Sequence, residues 1–118
     1  MRQIPAKDLS KILDLEKKQE KQVYKESLQL LERQYDKLWA IHKTTLPLNE
    51  MLAFLKECTD IKSGLEKVIK EDHTPFKFVT KLNEPLATAR KSYLEKFTWL
   101  LTSIQKEITT TEAKYNLA

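Results

Sequence analysis

The chain has 118 residues, with one Gly, four Pro, 32% charged and 41% apolar residues. That is room for one domain and the composition of long amphipathic helices, which argues against a loop-rich chain, a β-sandwich and a disordered tail. The net charge of +4 is mild, the single cysteine, Cys58, excludes an internal disulfide, and no run nears the ~20 apolar residues of a membrane span. The expected location is therefore intracellular, cytoplasmic rather than nuclear, with no secretion signal.

Residues 1–22 open with Ile4-Pro5, which suits the entry to a helix. Leu9, Ile12 and Leu13 then share one face, with Leu15 to the side. Residues 16–22 contain no apolar side chain, yet all are good helix formers. The pattern predicts a helical arm over 1–22 that projects from a bundle domain over 23–118. A solvated, fraying end is the alternative.

From residue 24 the chain carries an unbroken seam, Tyr24, Leu28, Leu31, Tyr35, Leu38 and His42, with Trp39 beside it and charged residues opposite. Such a stripe must be covered by another element. Thr44, Thr45 and Pro47 end it and predict an αα-hairpin, a single helix kinked at Pro47 being the alternative. A second helix is predicted over 47–71, with Leu48, Met51, Leu55, Cys58, Leu65 and Ile69 on its seam and Leu52, Ile61 and Val68 widening it. A stripe this broad touches two partners. Thr74-Pro75 reads as the start of a short helical turn over 76–82, whose Phe76, Phe78, Val79 and Leu82 plug one end of the bundle. Asn83 is a cap for the last helix, over 84–114, whose line is Leu86, Ala89, Tyr93, Phe97, Leu100, Ile104 and Ile108. The expected fold is all-α: an antiparallel, up-down-up three-helix bundle with an extended N-terminal helical arm.

Charge is unevenly spread. Residues 1–22 carry six basic and four acidic side chains, whereas residues 47–73 carry four and six. Basic and acidic helices packed side by side account for this pattern.

Chemistry is sparse. Cys58, His42 and His73 fit no zinc spacing, so no metal site is expected. Cys58 lies on an apolar seam as a small hydrophobe. The one glycine, Gly64, lies within a helix, where it allows a neighbour to come close and cannot cradle a phosphate. No catalytic residue, cofactor or enzymatic activity is expected.

Two groups point to binding. Trp39, Phe54 and Trp99 lie off the seams, where large aromatics serve as interface anchors. With Leu9, Ile12 and Leu13 they are the expected partner-binding residues. Lys77, Lys81, Arg90, Lys91 and Lys96 form a basic run that either meets an anionic ligand or faces the acidic second helix. The function expected is a non-enzymatic protein–protein interaction module, an adaptor or assembly subunit binding amphipathic helices of a partner. The alternatives are a self-associating coiled-coil scaffold, hence a homo-oligomer, and a membrane-surface or nucleic-acid binder using the basic face of the last helix.

Overall fold

The computed structural model describes residues 6–116; the expected helix entry at Ile4-Pro5 and the last two residues lie outside them. Three long helices carry the chain: α1 (Ala6–His42), α2 (Leu48–Glu71) and α3 (Asn83–Asn116), with one turn of 3-10 helix at Thr80–Leu82. Helix α1 runs without a break through the polar stretch 16–22, because strong helix formers sustain a helix that buries little there.

The helix ends follow local chemistry. Lys43 N–H donates to the Trp39 carbonyl at 3.1 Å, and the Thr44 hydroxyl donates to the Ile41 carbonyl at 2.7 Å, closing α1. Pro47 sits just outside α2 in an extended conformation. Its carbonyl accepts from the N–H groups of Glu50 and Met51, so the residue that stops α1 also starts α2. At the far end Asp72 N–H donates to the Val68 carbonyl, and Arg90 Nη1 lies 3.4 Å from Asp72 Oδ2. A guanidinium at a helix C-terminus also complements its dipole.

The three helices form an all-α bundle, up-down-up, inside an envelope of 80 × 24 × 22 Å. Helix α3 is the shared wall: α2 and α1 both pack on it, while α1 and α2 meet only thinly. Helices α1 and α3 run parallel, as Tyr35 meets Tyr93 and Phe97, Trp39 meets Trp99 and His42 approaches Glu107 in order along both. The core contains Leu31, Leu38, Phe54, Cys58, Leu65, Phe97, Leu100, Ile104 and Ile108. Each such side chain contributes about 1.5–3 kcal/mol on leaving water.

Five local expectations change. Phe54 is buried, at 5% exposure, so it belongs to the core and cannot serve as a surface anchor. The core line of α2 is Phe54, Cys58 and Leu65; the line through Met51 and Leu55 is only half-buried. Gly64 brings no helix close, since a Cβ built there meets nothing within 4 Å. Residues 76–79 form no helix, and only Thr80–Leu82 does. Asn83 does not cap its own helix but staples the loop: its Oδ1 accepts from Phe76 N–H at 2.8 Å and its Nδ2 donates to the Phe76 carbonyl at 2.9 Å. This holds Phe76 and Val79 buried at the bundle end and leaves Phe78 exposed.

Candidate functional site

The arm keeps an uncovered apolar face. Leu9, Ile12 and Leu13 are 47%, 45% and 37% exposed, and Leu15 and Val23 are exposed as well. The arm is nevertheless fastened at its base. Glu20 accepts from the backbone N–H groups of Lys77, Phe78 and Val79 at 3.0, 3.0 and 2.8 Å. Burial against the loop acts to raise the Glu20 carboxyl, but hydrogen bonds from Val79, Lys77 and Phe78 outweigh it and hold the group below its ordinary value. The stretch free of the bundle therefore ends before Glu20.

Above the arm, the thin α1–α2 contact leaves a groove of about 410 Å³. Ser27, Leu30 and Gln34 of α1 form one wall, and Asp60, Ile61, Gly64 and Val68 of α2 the other, over Leu31 and Leu65. Leu30 and Val68 are exposed there. Lys37 and Glu57 bridge the two walls at 3.5 Å. Both partners of that pair are exposed, which makes it worth little in stability.

The α1–α3 seam is the opposite case, filled by aromatic rings. Tyr35 stacks on Trp39 with centroids 6.4 Å apart and meets Tyr93 and Phe97 edge-on. Trp39 and Trp99 lie 5.6 Å apart. Of the two tryptophans, Trp39 is half-buried in this seam and Trp99 is 53% exposed. The Lys43 ammonium lies 5.1 Å from the Trp39 ring, and that of Lys96 lies 4.7 Å from Tyr93, distances at which a cation is attracted to a ring face. Burial, then the nearby Glu32, Asp36 and Tyr35, push the Tyr93 hydroxyl above its ordinary value. At the end of the seam an open cleft of about 640 Å³ is lined by His42, Met51, Trp99 and Glu107 among others. His42 Nδ1 lies 3.8 Å from Glu107 Oε2 and has no hydrogen-bond partner.

The five basic residues do not share a face. Arg90 is paired with Asp72 beside the α1–α2 groove, and Lys96 lies over the Tyr93 ring. Lys77 and Lys91 are exposed. Lys81 converges instead with Lys17 and Lys21 of the arm around Phe78 and Val79. No single-segment pattern reveals that grouping, because its members lie about sixty residues apart.

Cys58 is 1% exposed, and burial together with the nearby Glu57 pushes its thiol up to about 11. A thiol held this way is protonated and inert at neutral pH. Among the described residues no group of three or more His, Cys, Asp or Glu is placed to hold a metal ion, and no helix is long and apolar enough to cross a membrane. Comparison with protein families, curated proteins and solved structures found no match for the chain.

Proposed function

We propose that the protein is a non-enzymatic protein–protein interaction module, an adaptor or subunit of an intracellular assembly that engages amphipathic helices. The observation that carries this reading is the pairing of an uncovered apolar arm face with an uncovered apolar groove between α1 and α2. Helix-in-groove recognition needs these two parts, an apolar stripe on a helix and a trough between helices that admits one. Trp99 adds an exposed aromatic of the type enriched among binding hot spots.

The test places a photo-reactive residue at Leu13, at Val68 or at Trp99 in the full chain, expressed in its native cells. Discrete protein adducts at one or more of these positions are expected, with far lower yield from the polar surface positions Lys25 and Glu66. Equal, diffuse labelling from all five positions would remove the reading.

A further inference from the structure

Helix α1 carries a second apolar line that faces neither α3 nor solvent at random. Ile12 and Leu30 are 18 residues apart, five helical turns, and so share one azimuth along α1. Val23 lies close to the same line, and all three side chains are exposed. The line starts on the arm and ends in the α1–α2 groove, where Leu30 faces Gly64 and Val68. One end is thus an exposed apolar helix face, and the other is a trough between two helices.

These two ends fit one another under a two-fold rotation. An axis crossing α1 near Lys21 sets a second α1 antiparallel to the first and brings each Ile12 level with the other Leu30. Leu9 of the second copy then falls level with Arg33, one residue before Gln34 and near Asp60 and Ile61 of the groove, and Leu13 falls level with Gln29, near Gly64 and Leu65. Isologous contacts of this kind are the commonest way in which identical chains pair. Charge favours the match: the arm segment 1–22 has six basic and four acidic residues, and segment 47–73, which contains the α2 wall, has four and six. Gly64 fits it too, because its bare backbone opens onto space with no neighbour within 4 Å. An arriving helix can use that space. We propose that the protein pairs with a second copy of itself in this way, the arm of each chain seated in the α1–α2 groove of the other. The proposal rests on the interaction reading above and names the occupant of its groove.

Solution mass by light scattering of the full chain, over a wide concentration range and at two salt concentrations, tests it. A species of twice 13.9 kDa is expected, more dissociated at the higher salt. Ile12→Asp and Gly64→Arg each change an exposed helical position, so helicity stays as in the parent chain while association falls by about tenfold or more. A mixture of the single variants Ile12→Cys and Leu30→Cys should form a mixed disulfide more readily than either variant forms one alone; Cys58 is too buried to take part. A 13.9 kDa monomer at every concentration overturns self-pairing and leaves the interaction reading to its cross-linking test. A dimer that tolerates both substitutions, or that joins residue 12 to residue 12, overturns the arrangement.

Discussion

On its α3 side α1 is closed by interlocking rings, Tyr35, Trp39, Tyr93 and Phe97, whereas on its α2 side it faces a trough walled by Ser27, Leu30, Gln34 and the side-chain-free Gly64. Both flanks belong to one helix with one periodicity. They differ in what stands opposite: bulky rings at facing positions fill the space between two helices, and small or polar residues leave it open. The closed flank is where stability resides. The open flank and the arm that continues it hold apolar area that the monomer does not use.

Truncation should separate the two flanks most sharply. Phe97→Ala, at 1% exposure, is expected to cost about 3–5 kcal/mol in chemical unfolding, while Leu30→Gln should stay within roughly 0.5 kcal/mol. A comparable loss at both sites would mean that the groove is part of the core. In the dissociated chain Gly64→Ala should stabilise by about 1 kcal/mol, because the new methyl relieves the glycine penalty within α2 and meets nothing of its own chain. A destabilised variant in thermal melts would show that the space is already filled.

Smaller effects bear on the arm and the core. Glu20→Gln should speed amide exchange at Lys77, Phe78 and Val79 with little change in global unfolding. In the parent chain the lowered Glu20 value means that this contact is at full strength above the ordinary carboxylate range and is lost as pH falls through the folded-state value. Amide exchange at those three sites in an acid series checks the sign. Cys58 should resist thiol reagents at mildly alkaline pH until the bundle opens, its thiol having been pushed up to about 11. Rapid labelling of the folded protein would place the α2–α3 seam among the loosely closed ones.

Much of this architecture is legible in the residues. The seam from Tyr24 to His42 permits one helix face, and Leu31 and Leu38 are buried on it as the pattern requires. Helix α2 was ambiguous for a physical reason. Its apolar residues cover two adjacent lines that share Cys58 and Leu65, one through Met51 and Leu55 and the other through Phe54. Periodicity favours the first and sets Phe54 off it; the position of α3 selects the second. The basic run was misleading for a related reason: Arg90 and Lys96 are near in sequence but face different neighbours, Asp72 and Tyr93. Lys17, Lys21 and Lys81 come together only through folding.

Three helices and their breaks at Pro47 and between Glu71 and Asn83 were legible in the residues, because 3.6-residue periodicity and proline chemistry are local. That α3 is the shared wall, that Phe54 turns inward, that Glu20 fastens α1 to residues 77–79 and that α1 and α2 stand apart emerge only from packing. Those outcomes depend on which side chains meet across helices: aromatic rings fill the seam between α1 and α3, whereas Gly64 of α2 presents no side chain to the groove.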